Sequence, residues 1–194
     1  AKVVSLSNIQ SNEVSSAPAT EPVTRTEAKS WIKLDTTTDD TLIDSLITAA
    51  RIAAENFTGT KFITQTVKQY LTDFPGTADE LVLRFSPVQS ITSVAYVDAD
   101  GANQTLTTYN ADLTGVPARL WPNVNTNWPE TKAQLKAVTI TYVCGYGTAG
   151  YVPGDIKNAI LFMVASWYER REDSTKTMPN MSEYLLTPYR VHLF

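Results

Sequence analysis

The chain has 194 residues, 43% of them hydrophobic and 19% charged, a globular composition at a size where folding into one core buries roughly 70% of the unfolded surface. No apolar run approaches the about 18 residues that a membrane helix requires, and one cysteine, Cys144, with one histidine, His192, excludes an internal disulfide and leaves too few soft ligands for a zinc site. Twenty acidic against sixteen basic residues give a net charge of −4, the wrong sign for a protein whose main task is to grip phosphates.

Residues 1–22 open the chain. Ala1 to Gln10 has one lysine and no continuous apolar stretch, so no secretory signal is expected, and a cytosolic origin follows. Ser5 to Pro22 is rich in Ser, Asn, Ala and Thr, carries two prolines and lacks a hydrophobic period. That is the composition of an arm that docks elsewhere or stays free.

Regular structure is expected from Thr24. The spacing of Thr24 and Glu27 is that of a capping box, opening a short helix to about Leu34 with Ala28, Trp31 and Ile32 inward. Asp39 and Asp40 put negative charge at a second helix start, and Leu42, Ile43, Leu46, Ile47, Ala50, Ala53, Ala54 and Phe57 form one helical stripe. Gly59 supplies a left-handed stop, which ends this helix near Thr58.

The hydrophobic period then falls to two. Ile63–Thr72, Glu80–Phe85, Ile91–Asp98, Gln104–Tyr109 and Ala137–Cys144 are rich in Thr, Val, Ile and Tyr and are expected to be strands. Asp98-Ala99-Asp100-Gly101 marks a hairpin, because Asp-Gly supplies positive φ angles readily. Val116–Pro129, with three prolines and two tryptophans, is expected to be a loop packed by Trp121 and Trp128. Helical spacing returns after Pro153, expected at the first helical position, with Ile156, Ala159, Ile160, Met163, Val164, Trp167 and Tyr168. A brief last helix, Met181–Leu186, precedes Pro188. The fold class is therefore α+β: a small bundle of two N-terminal and two C-terminal helices with an inserted antiparallel sheet.

No residue set assembles a catalytic site on paper. The one histidine lies two residues before the last, so no nucleophile has an evident base, and Cys144 sits in an apolar strand as a buried, inert thiol. Asp98 and Asp100 could pair as hydrolytic carboxylates, yet acids at a hairpin normally serve the turn. Trp31 and Trp167 fall on apolar stripes, which leaves Trp121 and Trp128 as candidates for stacking on a sugar. The last residues, Tyr184 to Phe194, are unusually apolar. They either fold back on the core or serve a partner as an extended strand.

Glu21–Lys29, Asp39–Ile43, Val94–Gly101, Thr141–Gly147, Val152–Lys157, Trp167–Glu169 and Leu185–Arg190, in this order and spacing, resemble the head-tail connector (adaptor, or head completion) proteins of long-tailed bacteriophages. The resemblance runs from about Thr20 to Phe194, and the arm of residues 1–22 is longer than the family's short lead. It implies a structural virion protein of the particle neck, made in the host cytoplasm. Such a protein forms a ring, dodecameric by family analogy, under the portal and extends the DNA channel to the stopper or tail-completion protein. DNA passes without tight binding, and no catalytic residue, metal, cofactor or membrane is involved.

On that reading residues 23–186 are the adaptor domain, with a β-insert at about 62–145, and residues 187–194 are a docking tail. Portal docking is expected of Leu185, Leu186, Pro188, Tyr189, Arg190, Val191, Leu193 and Phe194. Asp39, Asp40 and Asp44, on the acidic second helix, are candidates to line the channel or meet a neighbouring subunit. The rival readings are a β-rich carbohydrate- or receptor-binding module of a phage particle and a hydrolase built on acidic residues.

Overall fold

The change of hydrophobic period at about residue 60 corresponds to a change of core in the computed structural model, which describes residues 9–76, 79–170 and 178–191. Pro18–Ile63 and Tyr146–Val191 form a helical unit, and residues 9–17 with Thr64–Gly145 form a sheet unit.

In the helical unit, α1 (Arg25–Ile32) starts on the expected capping box. The Glu27 amide donates to Thr24 Oγ1 at 3.1 Å while Glu27 Oε2 accepts from the Thr24 amide at 2.7 Å. Two of the amides that a helix start leaves unpaired are thereby satisfied. The helix α2 (Asp40–Thr58) ends at Gly59, whose φ of 72° suits a residue without Cβ. Then come α3 (Gly154–Glu169) and α4 (Asn180–Leu186). Pro153 stands at the N-cap, one place before the expected first helical position.

The core of this unit joins Ala28, Ile43, Ile47, Ala50, Ala54, Ile156, Ile160, Met163, Val164 and Leu186. Each large aliphatic chain removed from water contributes about 1.5–3 kcal/mol. Two stripe residues lie elsewhere than expected. Leu42 is exposed, because the buried line of α2 runs through Ile43, Ile47, Ala50, Arg51, Ala54, Glu55 and Thr58. Trp31 is 42% exposed and meets the ring of Phe162 edge-on at 5.3 Å instead of entering the core.

The sheet unit comprises β1 (Ile9–Ser16), β2 (Gln65–Leu71), β3 (Leu81–Val82), β4 (Val88–Val97), β5 (Asn103–Thr105), β6 (Asn110–Asp112), β7 (Arg119–Trp121) and β8 (Val138–Cys144). They make two antiparallel sheets, one ordered β1-β2-β8-β4-β5 and one ordered β3-β7-β6. Strict alternation along β2 and β8 buries Val67, Leu71, Val138, Ile140, Tyr142 and Cys144, which is the period-two signal read from the sequence. Gln69, buried among them, is engaged at both ends of its amide: its Nε2 donates to the Val82 carbonyl and its Oε1 accepts from the Arg84 amide, both at 2.9 Å. The β4-β5 hairpin turns through Asp98–Gly101 as expected, with Asp98 Oδ1 accepting from the Ala102 amide at 2.8 Å.

Three elements depart from expectation. Residues 9–16 of the arm form β1, paired antiparallel with β2. Their lack of apolar alternation hid the strand, since the side chains of residues 11–17 are all exposed and have no core to face. Arg119–Trp121, inside the expected loop, is β7. The strand expected over 104–109 stops at Thr105 as β5, and β6 begins only at Asn110 and joins the other sheet.

Candidate functional site

The acidic start of α2 is not a bare negative surface. Asp40 Oδ1 accepts from Lys29 Nζ at 2.7 Å and its Oδ2 from Arg25 Nη1 at 3.1 Å. Asp44 Oδ1 accepts from Arg25 Nε at 2.8 Å, and Arg25 also pairs with Asp44 Oδ2. Asp39 Oδ2 accepts from the Tyr168 hydroxyl at 2.6 Å. Hydrogen bonding from Lys29 lowers the Asp40 pKa, and hydrogen bonding from Arg25 lowers that of Asp44. The three carboxylates proposed for a channel or subunit contact are therefore brought together, but two cations from α1 compensate most of their charge.

The C-terminal residues divide into an inward and an outward set. Ser182 Oγ donates to the Ala159 carbonyl at 2.9 Å, which pins α4 to α3, and Leu186 is fully buried. Leu185 and Tyr189 pack half-buried against the same core, and the Tyr189 hydroxyl reaches Asp155 Oδ2 at 3.4 Å. Arg190 lies over the Phe57 ring, 5.2 Å from its centroid, and the Val191 amide donates to the Thr58 carbonyl at 2.7 Å. Pro188 is exposed. Leu193 and Phe194 lie outside the described residues. Of the proposed docking set, Leu186 has no surface to offer a partner. Beside Pro188 the outward face carries Met181, 51% exposed, and Tyr184, 76% exposed, one helical turn apart. Sequence reasoning stopped short of Met181, although its spacing of three from Tyr184 was visible.

A buried charge network also escaped the sequence reading. Arg51 Nε donates to Glu21 Oε2 at 2.6 Å and its Nη1 to Glu55 Oε2 at 3.3 Å. Lys61 Nζ reaches Glu55 Oε2 at 2.9 Å, and the Phe62 amide donates to Glu55 Oε1 at 3.2 Å. The signal was the i, i+4 pair Arg51 and Glu55 lying within an apolar stripe.

Of the two sugar-stacking candidates, Trp128 is occupied otherwise. Trp128 is buried, stacked on Phe74 at 4.9 Å with rings 2° from parallel, and its Nε1 donates to the Asp79 carbonyl at 2.9 Å. Trp121 is half-buried in β7. Asp98 serves the hairpin and accepts from Gln104 Nε2 at 2.8 Å. Among the described residues no cluster of three or more His, Cys, Asp or Glu could hold a metal ion, and no described helix is long and apolar enough to cross a membrane.

These features define a protein whose polar chemistry organises its own helices and sheets and whose free features are surfaces. Residues 21–187 match the head completion protein family; the chain belongs to that family, which is one of structural virion proteins. No curated protein matches the sequence. The fold is similar to a chain from the neck of an empty GTA particle computed with C6 symmetry, with a TM-score of 0.80, 20% identity and coverage of 95% of this chain and 97% of that one. It is similar also to a chain from the virion of a native gene transfer agent (GTA) particle, with a TM-score of 0.79, 21% identity and the same coverage. A third, from the neck of a native GTA particle computed with C12 symmetry, gives a TM-score of 0.74 at 20% identity.

Proposed function

We propose that this chain is a non-enzymatic adaptor in the neck of a phage-like particle, where copies form a ring under the portal and continue the DNA channel toward the stopper or tail. The observation that carries the reading is the family match over residues 21–187. The matched solved chains come from GTA necks and a GTA virion, and the necks were treated with sixfold and twelvefold symmetry. A net charge of −4 fits a wall past which DNA slides, because a mildly acidic surface does not trap phosphates.

Within that role the portal-facing element is the outward side of the C-terminal segment. Tyr184, Met181 and Pro188 are its exposed apolar members, with Leu185, Tyr189, Arg190 and Val191 beside them. A Tyr on a rigid helix is an effective anchor, since it buries a large area at low entropic cost. Trp128 belongs to the core, so no specific observation favours the carbohydrate-binding reading.

The test is electron microscopy of particles made with and without the chain. Heads lacking it should contain DNA but carry no tail, and density for the chain should form a ring against the portal. The double substitution Met181→Ser with Tyr184→Ala should leave melting unchanged and abolish joining. Tailed particles in the absence of the chain would refute the adaptor role, and normal joining by the double variant would remove the C-terminal face from it.

A further inference from the structure

We propose that residues 9–16 are an exchangeable strand, which leaves its own β2 and pairs with β2 of a second copy of this chain. The inference does not depend on the neck assignment and requires only that two copies meet.

Four observations carry it. First, none of residues 11–16 belongs to the buried cluster of the sheet unit, which is built from β2, β3, β4, β7 and β8 with the loops between them. Second, the described β1 side chains are exposed, Val14 among them at 44%, so the strand is held chiefly by its backbone ladder to β2. A side-chain tie is the hydrogen bond of 2.7 Å from the Tyr70 hydroxyl to Glu13 Oε2. Third, the ladder is irregular near both ends, between Ile9 and Ser11 and again between Val14 and Ser16. Few buried contacts and an irregular ladder place a segment at the low end of local stability.

Fourth, the chain leaves the sheet unit between Ala17 and Pro18 and enters the helical unit. The strand is thus joined by a short tether, residues 17–22, stiffened by Pro18 and Pro22, to the helical unit, and the chain returns to the sheet unit only at Thr64. A strand at the end of a tether can be delivered to any copy within reach.

The occupant follows from the ladder itself. An uncovered β2 edge is a template for pairing, which natural sheets avoid leaving open. The same eight residues of a neighbour restore every backbone hydrogen bond in the same register, so exchange between identical copies loses no contact. In a dilute chain the tether keeps the strand at millimolar effective concentration and intramolecular pairing wins. Where copies are packed side by side, the neighbour's strand competes on nearly equal terms.

The register names the test. Glu13 and Lys68 are Cα partners, both solvent-accessible, and the native Cys144 is buried. A dilute chain carrying both Glu13→Cys and Lys68→Cys should close an intrachain disulfide in a glutathione buffer; failure to close it overturns the pairing and the proposal with it. Separately, a Glu13→Cys chain mixed with a Lys68→Cys chain at millimolar concentration should accumulate covalent heterodimer at least several-fold faster than a Glu13→Cys chain mixed with a Thr107→Cys chain, whose cysteine is exposed in the same unit but lies off β2. Equal rates in the two mixtures would show random collision and overturn the exchange. Circular dichroism of each single variant checks that the sheet is intact.

Discussion

Glu55 has a side chain only 1% exposed and accepts from Arg51, Lys61 and the Phe62 amide, so it is the residue whose loss the helical unit should feel most. Glu55→Ala removes the acceptor that Arg51, Lys61 and the Phe62 amide share, while Arg51 keeps Glu21, and should destabilise the protein by about 3–5 kcal/mol. The solvent-exposed pair Arg119–Glu80 is the control, since Arg119→Ala should cost no more than about 1 kcal/mol. Urea unfolding of the two variants measures both, and equal costs would show that burial does not govern the network. The carboxylates give a pH prediction with a definite sign. Glu27, Asp40, Asp44, Asp98 and Asp112 all have lowered pKa values, through hydrogen bonds from Thr24, Lys29, Arg25, Gln104 and Thr114 respectively. Their stabilisation is complete above the ordinary carboxylate values of 3.8 and 4.5 and is lost as pH falls through the lower folded-state values. The melting temperature should therefore hold from pH 7 to about pH 5 and drop below about pH 4, with the drop reduced by added salt.

Among the elements, α1 depends on its cap and the C-terminal segment on its return to α2. Thr24→Ala removes the hydroxyl acceptor of the capping box and should cost about 1 kcal/mol in urea unfolding, whereas Thr24→Ser should cost almost nothing. Deleting residues 187–194 removes the Val191 hydrogen bond to Thr58 and the Tyr189 packing. The truncated chain should unfold in one cooperative step with a loss of about 1–3 kcal/mol. A truncated chain with no melting transition would mean that the segment is needed for the fold itself. Elements bounded by local chemistry were legible in the sequence, namely the Thr24 cap, the Gly59 stop and the Asp98–Gly101 turn. Elements bounded only by pairing were not. β1 and β7 are strands because β2 and β3 lie alongside them, and neither three residues at Arg119–Trp121 nor the polar run at 9–16 announces a partner.

Across the whole molecule, charge and core content govern behaviour. Basic residues are outnumbered and Arg25, Lys29, Arg51 and Lys61 are already paired with carboxylates, so duplex DNA should bind weakly and lose binding at moderate salt. Fluorescence titration at two ionic strengths checks this, and nanomolar affinity in physiological salt would contradict a channel through which DNA slides. The two units carry separate clusters of buried apolar residues. Ile160→Ala in one and Ile140→Ala in the other should each cost about 2–5 kcal/mol, and hydrogen exchange should locate each loss in the unit that holds the residue.

By itself the sequence determined the four helices, the strand-rich stretch between the second and the third, and the α+β class. These follow from periods, caps and composition, which act over a few neighbouring residues. Only the tertiary structure decided that two sheets exist instead of one, that the arm supplies an edge strand, and that Asp39, Asp40 and Asp44 are engaged by Tyr168, Arg25 and Lys29. It also divided the apolar C-terminal segment, burying Leu186 while leaving Tyr184 outside. The reason is physical: strand pairing and ion pairing join residues far apart in the chain, such as Glu13 with Tyr70 or Asp39 with Tyr168, and their partners are fixed by packing that no local pattern encodes.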